Sequence, residues 1–433
     1  MTAWRYDFTT GKARPIDPFP FPRVQGTLRD ASDTGIPFGL DLSGDGRYAF
    51  FQTWAHKWLL TTPFDSDIYS SWVKDLVTGE AHLINSSTYG DGQPTPNDAT
   101  AFVTDDGNTV LMRREWSGQG ARLERFAVAL GGGTPTAASV DLDPTCFSGS
   151  SLPGDRISGS VVYFNNVDVD GDVVGPCLAR SWSPATSTYA LVATAGDGTP
   201  ADAQTEVVAS SPDGRYILLW SLASNLAVLP SGATPPLLYV KDMQSGTVTP
   251  LAALAVAGIP YTASWDAPPE RAFLSSFTNA ANGYVLVEAP GSIPELAGHV
   301  LVINAATGVA SVADRDADDV PLCGAFSPRG LSRDGSKVLF VGQLGSDPGC
   351  GAAPAGTATA WPAHLWKDLV TGELRAALTT PLGMDAGLGN ANAVLAGDGR
   401  RTLHIGPEEI GRTDGVRHED YEATQAFVRQ QLP

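Results

Sequence analysis

The sequence predicts an all-β fold, a single β-propeller of about seven four-stranded blades spanning residues 1–433. Two short signatures that recur along the chain predict it, together with 47 Gly and 32 Pro that follow no collagen-like period. So many turn formers imply many tight turns, hence many short strands. Hydrophobic residues make up 42% of the chain and charged residues 17%, which supplies a large core and too little charge for a disordered chain.

The first signature is a small or polar residue, then Asp-Gly, then a hydrophobic run. It occurs as Ser43-Gly44-Asp45-Gly46-Arg47-Tyr48, as Thr104-Asp105-Asp106-Gly107 and as Ser211-Pro212-Asp213-Gly214-Arg215-Tyr216. It returns as Ser332-Arg333-Asp334-Gly335 and as Ala396-Gly397-Asp398-Gly399-Arg400. Asp-Gly signals a short hairpin, because glycine accepts the positive φ that the turn demands. Two gaps in the series are twice as wide as the others. Each is expected to hold a degenerate copy, Gly154-Asp155 before Val161–Phe164 and Pro269-Glu270 before Phe273-Leu274.

The second signature is a strand ending in Asp, then a turn closed by Gly. Its copies are Trp72-Val73-Lys74-Asp75-Leu76-Val77-Thr78-Gly79, Tyr239-Val240-Lys241-Asp242-Met243-Gln244-Ser245-Gly246 and Trp366-Lys367-Asp368-Leu369-Val370-Thr371-Gly372. Weaker copies lie at Val302–Gly308 and at Tyr6–Gly11. Seven units over 433 residues are about 62 residues each, enough for four strands and two short turns.

These residues resemble the TolB-like (WD-type) propeller repeat, best over Ser211–Thr247, where Ser-Pro-Asp-Gly-Arg-Tyr is followed by Ala223-Ser224-Asn225-Leu226 and Tyr-Val-Lys-Asp. The resemblance implies the propeller fold over nearly the whole chain. It implies little about function, because such propellers serve as binding modules, scaffolds and enzymes.

A propeller must leave no exposed sheet edge. Blade 7 is therefore expected to be shared between about 1–18 and 380–433, pairing N- and C-terminal strands. The hairpin Trp4–Phe8 and Lys12–Ile16 would supply outer strands to the inner strands Ala393–Ala396 and Arg401–Ile405. The tail Ala426–Leu432 competes for the third place, so either the blade gains a strand or one segment packs outside it.

Four cysteines fall in pairs around two of the first-signature turns. Their equivalent placement favours Cys146–Cys177 and Cys323–Cys350 over other connectivities, the alternative being four free buried thiols. Disulfides imply an oxidising compartment: periplasm, cell surface or medium. No signal sequence opens the chain, since strand-like sequence follows Met1 at once. The net charge of −19 argues against nucleic acid and anionic lipid as partners, and no run reads as a membrane span. A monomer is expected.

The long connections are expected at Thr53–Tyr69, Glu115–Ala121, Asn165–Leu178, Phe277–Gly298, Gly342–Pro362 and Gly406–Thr424, all at the end opposite the short turns. Loops held by a rigid scaffold carry function. Trp54, His56, Lys57 and Trp58, with Arg113, Arg114 and Trp116 in the next blade, offer indoles and cations suited to sugar rings or carboxylates, against ordinary aromatic packing between blades. Asn166, Asp168, Asp170 and Asp172 match the first half of a calcium loop. The twelfth position is Cys177, which excludes an EF-hand and leaves a smaller calcium site or a bare turn. The acidic run Asp314–Asp319 reads as a solvated loop, and the six histidines are too scattered for a three-His metal centre. His82, His299 and His364 are expected in outer strands.

No Gly-x-Ser-x-Gly, His-Glu-x-x-His, phosphate loop or dinucleotide fingerprint occurs. The expected function is therefore a binding module for a protein, peptide or glycan. The alternatives are a polysaccharide lyase or glycoside hydrolase with its site at the mouth of the central channel, and a structural module of a larger envelope protein. For catalysis, His56, Asp65, Asp67, Arg113 and Arg114 are the candidates for acid, base and carboxylate clamp.

Overall fold

The computed structural model describes residues 3–7, 12–16, 37–43, 46–54, 68–78, 80–88, 101–104, 108–116, 120–127, 136–142, 157–158, 161–170, 173–183, 186, 188–269, 271–276, 283–345, 350–354, 363–377, 393–399, 401–407 and 424–430. Among them every regular element is a strand, apart from a 3-10 turn at Pro294–Leu296. No helix among them is long and apolar enough to cross a membrane, which says nothing of a β-barrel.

Strands β1 (Ala3–Asp7) and β2 (Lys12–Ile16) open the chain. A four-stranded meander follows, β3 (Pro37–Leu42), β4 (Tyr48–Trp54), β5 (Ile68–Asp75) and β6 (Ala81–Thr88). The next is β7 (Ala101–Val103), β8 (Thr109–Trp116), β9 (Gly120–Ala127) and β10 (Thr136–Leu142). Strands β11 (Ile157–Ser158), β12 (Val161–Asp170), β13 (Val173–Ser183) and β14 (Thr188–Leu191) share a sheet with β15 (Thr205–Ser210), β16 (Tyr216–Ser221), β17 (Leu237–Asp242) and β18 (Val248–Pro250). Its two halves are joined at a single parallel register, Leu178 with Thr205.

The hairpin β19 (Ala253–Val256) and β20 (Ile259–Thr262) lies parallel on the edge of a further meander, β21 (Ala272–Leu274), β22 (Tyr284–Glu288), β23 (Val300–Asn304) and β24 (Val309–Val312). Then come β25 (Gly324–Leu331), β26 (Lys337–Leu344), β27 (Ala363–Asp368) and β28 (Leu374–Ala376). The last strands are β29 (Ala393–Leu395), β30 (Arg401–Pro407) and β31 (Thr424–Gln430), in the sheet order β2-β1-β31-β30-β29. The tail therefore takes the third place, and the N-terminal hairpin extends the sheet to five strands through a parallel β1–β31 pairing.

Two compact units result. One holds Met1–Val140, Ala355–His364 and Ala376–Pro433; the other holds Asp141–Pro354 and Leu365–Arg375.

The first signature builds the hairpin between the first two strands of a meander. Ser211 shows how: its N–H donates to Tyr216 O at 2.8 Å, and the Tyr216 N–H donates back to Ser211 Oγ at 3.0 Å. Ser43 with Tyr48, Thr104 with Thr109 and Ser332 with Lys337 repeat both bonds. Gly214 turns the chain with φ 65° and donates to Ser211 O at 2.8 Å. At Gly335, φ 71°, a Cβ would meet the Tyr284 ring at 2.4 Å, so glycine is required there twice over.

The two degenerate copies lie elsewhere than expected. Ser275 and Tyr284 make the same pair of bonds at 3.0 and 2.9 Å, so the hairpin follows the strand holding Phe273-Leu274, and Pro269-Glu270 precedes it. Likewise β11 and β12 join between Ser158 and Val161, downstream of Gly154-Asp155.

The second signature is an Asx turn between the third and fourth strands. Asp242 Oδ1 accepts the Gln244 and Ser245 N–H groups at 2.9 and 3.4 Å, and Gly246, φ 76°, donates to Asp242 O at 2.8 Å. Asp75, Asn304 and Asp368 make equivalent Asx bonds. The two signatures also touch each other. Arg215, stacked 5.0 Å over Tyr216, donates from Nε and Nη2 to Asp242 at 3.1 and 2.9 Å, and Arg47 does the same to Asp75. The Arg215 guanidinium holds the Asp242 carboxyl down at about 2, helped by the turn N–H groups and opposed by burial.

Asp242→Ala removes the turn bonds and the ion pair together. The expected loss is about 1–2 kcal/mol, discounted because Arg215 is exposed, measured by urea denaturation at neutral pH. The difference from the parent should narrow as pH falls through about 2, because Asp242 contributes fully above its unfolded value and loses the ionic part of that contribution as pH falls through the folded one.

Strand alternation explains the unbroken apolar runs. In β16, YILLWS, every residue is buried. Leu218 and Trp220, with Leu238 and Val240 of β17, pack with Leu254, Val285 and Leu301. Ile217 and Leu219, with Leu237 and Tyr239, pack on the other side with Tyr163, Leu178 and Val207. The sheet is thus clad on both faces, which removes the polar stripe a half-exposed strand would carry.

Candidate functional site

In an antiparallel meander the first and third turns share one end and the middle connection takes the other. The signature turns consume the first end structurally, so an uncommitted group has room only at the second.

Of the residues expected there, His56, Lys57, Trp58, Asp65 and Asp67 lie outside the described residues. Trp54 is the last residue of β4, opposite Tyr69. Arg113, Arg114 and Trp116 stand on β8, opposite Leu123, Arg122 and Gly120. At the long connection expected at Glu115–Ala121, β8 and β9 instead stay paired as far as Trp116 with Gly120. The same correction applies to Asn165–Leu178. There β12 and β13 run on to the pair Asp170 with Val173, through a register shift between Val167 and Val169. Asn166, Asp168 and Asp170 occupy alternate positions of β12, and Asp172 lies outside the described residues. No group of three or more metal-ligating side chains occurs among the described residues.

Cys323 and Cys350 form a disulfide with Cα atoms 5.3 Å apart. Cys177 is disulfide-bonded too, and its expected partner Cys146 lies outside the described residues.

The connection from β24 to β25 carries the acidic run, which is solvated only over its last three residues, Ala317–Asp319. Asp314 is fully buried and Asp316 nearly so. Asp316 Oδ1 accepts the Asp318 and Val320 N–H groups at 3.0 and 2.9 Å, and Oδ2 accepts the Ala352 N–H at 2.7 Å. These N–H groups, Val320 and Ala352 foremost, hold its carboxyl below the usual range. Gly351 donates to Pro321 O at 2.8 Å, beside the disulfide. The connection is thereby clamped to the loop after β26 by one backbone–backbone bond, one bond from a backbone N–H to the Asp316 carboxylate, and a covalent link.

A buried lysine secures it from beneath. Lys367 of β27 donates from Nζ to Arg315 O at 2.7 Å and Asp316 O at 3.5 Å. Lys241 of β17 repeats this on the connection from β14 to β15, donating to Val192 O at 2.9 Å and to Thr194 O and Oγ1 at 2.8 and 2.5 Å. The two connections match in form, each closed by an isolated bridge, Thr194 with Pro200 and Arg315 with Pro321. Burial pushes the Lys241 ammonium down to about 8 and lowers that of Lys367, while oxygen acceptors pull toward the protonated form. The sequence offered a signal for these residues, the Lys-Asp pair shared by the second-signature copies.

Above this scaffold sits His299, one residue before β23 rather than within an outer strand. The 3-10 turn presents it: the His299 N–H donates to Leu296 O at 3.0 Å, and the Ala289 N–H donates to His299 O at 2.9 Å. Gly298, φ 80°, lies against the β25 backbone, where a Cβ would meet Gly324 O at 3.3 Å. His299 Nδ1 bonds Asp314 Oδ2, while Asp314 Oδ1 accepts the Val300 N–H at 2.8 Å. The carboxylate accepts, so Nδ1 carries the proton. No described residue bonds Nε2, and the side chain is 18% exposed. The Asp314 hydrogen bond raises the His299 pKa, opposed by burial and by the neighbouring Arg315. Nearby, Ser327 Oγ donates to Glu288 Oε1 at 2.5 Å, and the Phe326 N–H donates to Gly298 O at 2.8 Å.

The arrangement is an imidazole oriented by a buried carboxylate. It can bind an anion, ligate, or exchange a proton. Sequence reading missed it, because His299 and Asp314 belong to different connections and form no motif.

Several solved structures are similar to the chain at low identity. They include the β-propeller domain of the trilobed protease from Pyrococcus furiosus, which has an open velcro topology, at 10% identity and TM-score 0.46 over 87% of this chain and 88% of that one. The putative TolB from Agrobacterium tumefaciens is 13% identical with TM-score 0.32, covering 100% and 98%. The periplasmic gluconolactonase of Pseudomonas aeruginosa is 11% identical with TM-score 0.33, covering 100% and 95%. No family model matches the chain, and no curated protein matches it significantly.

Proposed function

We propose that the chain is an extracytoplasmic β-propeller of seven blades, closed by its terminal strands, that binds a protein, peptide or glycan at the ends carrying the middle connections. Pairing of β1 with β31 supports the closure. The Cys323–Cys350 disulfide supports an oxidising compartment. The observation that carries the binding role is the His299–Asp314 pair, which lies at such an end and belongs to neither repeating signature. Trp54, His56, Lys57, Trp58, Arg114 and Trp116 remain a proposed second patch, and Asn166, Asp168, Asp170 and Asp172 a proposed calcium site.

An imidazole held through Nδ1 by a buried carboxylate also favours a second reading, a lyase or hydrolase using Nε2 as general base.

A thermal-shift screen of the non-reduced protein against calcium, EDTA, acidic and neutral oligosaccharides and peptides tests the proposal. A ligand that binds the folded state alone raises the midpoint by mass action. Product analysis with any sugar that does so separates a lectin from a lyase. An unmoved midpoint throughout counts against the small-ligand site and the calcium site together.

A further inference from the structure

The connections from β14 to β15 and from β24 to β25 are two versions of one structure, and their differences isolate what the second has added. The Ala201 N–H donates to Ala193 O at 2.9 Å and the Leu322 N–H donates to Asp314 O at 2.8 Å, so Ala193 and Asp314 correspond. The strand registers, Arg180 with Leu191 and Leu301 with Val312, then put Leu178 where His299 stands. Leu178 and Ala193 are both buried. The fold therefore accepts an apolar pair at these positions, and a buried carboxylate is the costlier choice. The His299–Asp314 pair is not a requirement of the turn.

The same correspondence sets Cys323 at the place of Asp202 and Cys350 at the place of Ser224. In the first connection Asp202 accepts from the Ser224 N–H and Oγ–H at 2.8 and 2.7 Å. Asn225 adds two bonds, donating from Nδ2 to Pro200 O at 2.8 Å and accepting the Asp202 N–H at 3.1 Å. In the second connection a disulfide joins Cys323 to Cys350, and the Gly351 N–H, 2.8 Å from Pro321 O, takes the part of the Asn225 amide. A Cβ on Gly351 would meet Val320 O at 2.4 Å and Asp316 Cγ at 3.1 Å, so the loop lies tight against the connection. One connection is thus held by hydrogen bonds that form as the chain folds. The other is held by a bond that needs an oxidant. Two thiols are a poor substitute for it, since a thiol is a weak donor and a weak acceptor. Leu322, next to Cys323, donates to Asp314 O, so the clamp ends one residue from the group that positions Asp314.

We propose that formation of the Cys323–Cys350 disulfide assembles the His299–Asp314 pair, so that the site is completed by oxidation. The two thiols give up two protons and two electrons as the S–S bond forms, and a disulfide exchange partner accepts them and leaves as two thiols. Both cysteines are partly exposed to such a partner. The site stays loose in a reducing compartment and closes in an oxidising one. The inference rests on the reading of the His299–Asp314 pair as the site, and adds its control.

The test is amide hydrogen exchange and histidine ring NMR on the full-length, non-reduced protein. Cys323→Ala with Cys350→Ala removes this disulfide and leaves that of Cys177 intact, and His299→Asn identifies the His299 ring signal. In the double alanine variant, exchange at the Val300, Leu322 and Gly351 N–H groups should quicken at least about tenfold, while Ala195 and Ala201 keep the parent's rates. The Val300 N–H reads the pair directly, because it donates to Asp314 Oδ1. The His299 ring signal should move with it. Cys323→Asp with Cys350→Ser, which writes the Asp202–Ser224 pair into this connection, should restore slow exchange at Val300 without an oxidant. Unchanged rates and an unmoved ring signal in the double alanine variant overturn the proposal. So does equal quickening at Ala195 and Ala201, which would make the disulfide a general staple of the fold. These readings need no ligand, so a binding role that fails, with no ligand stabilising the oxidised protein, is detected separately.

Discussion

Lys241→Met is expected to destabilise the protein by about 2–4 kcal/mol, the largest single-site effect outside the apolar core. The methionine fills the channel of the aliphatic stem but cannot donate. Val192 O, Thr194 O and Thr194 Oγ1 then lose the ammonium that satisfies them. Lys241 is 4% exposed, so water cannot take its place without opening the connection from β14 to β15. Part of the loss is offset, because the wild-type ammonium is itself desolvated. Urea denaturation at pH 7 measures the difference. A change below about 0.5 kcal/mol would show that the oxygens find other donors and that the lysine is not a latch.

Lys241 also shows where the sequence stopped being legible. Val-Lys-Asp reads as the end of an outer strand, where a lysine is ordinarily solvated. Its burial depends on carbonyls 47 to 49 residues earlier in the chain, brought near only when two meanders pack. The turns were legible for the opposite reason. Ser211, Gly214, Asp242 and Gly246 act within five residues of themselves, so local sequence carries the whole interaction. The copy at Ser275 was misplaced because its hairpin closes on Tyr284 through a long insertion, while the more conspicuous Pro269-Glu270 sits ahead of the strand. The cysteine pairing Cys323–Cys350 was legible because its two members flank one hairpin. The acidic run was misread for want of its partners: His299 for Asp314, and Ala352 for Asp316, each on another connection. The aromatic and basic residues at Trp54 and Arg113 drew notice by composition, whereas the His299 group has none to notice.

The pH dependence of stability should be lopsided, rising above pH 8, peaking near pH 10 and falling steeply beyond. Lys241 sets the rise. Burial lowers it to about 8 in the folded protein, against 10.5 when unfolded. Between those values the unfolded chain holds a proton the folded chain has shed, so raising the pH favours folding. The full window amounts to at most about 3 kcal/mol, and Lys367, lowered by the same burial, adds in the same direction. Tyr163 and Tyr239 set the fall. Burial raises both from 10.0 to about 12, and their hydroxyls donate to Gly214 O at 3.0 Å and Ala223 O at 3.3 Å. Above pH 10 the unfolded chain loses these protons first, so stability drops as pH climbs toward 12. His299 acts in the opposite half of the range. Its pKa is raised by Asp314, so its contribution is complete below about 6.5 and is lost as pH rises through the folded value. Urea midpoints collected from pH 5 to 11 would trace the curve. Lys241→Met ties the two predictions together, because it should erase much of the rise above pH 8 while leaving the fall beyond pH 10 intact. A rise that survives the substitution unchanged would assign it to Lys367 or to other amines, and the latch would then carry its proton at every pH where the protein is folded.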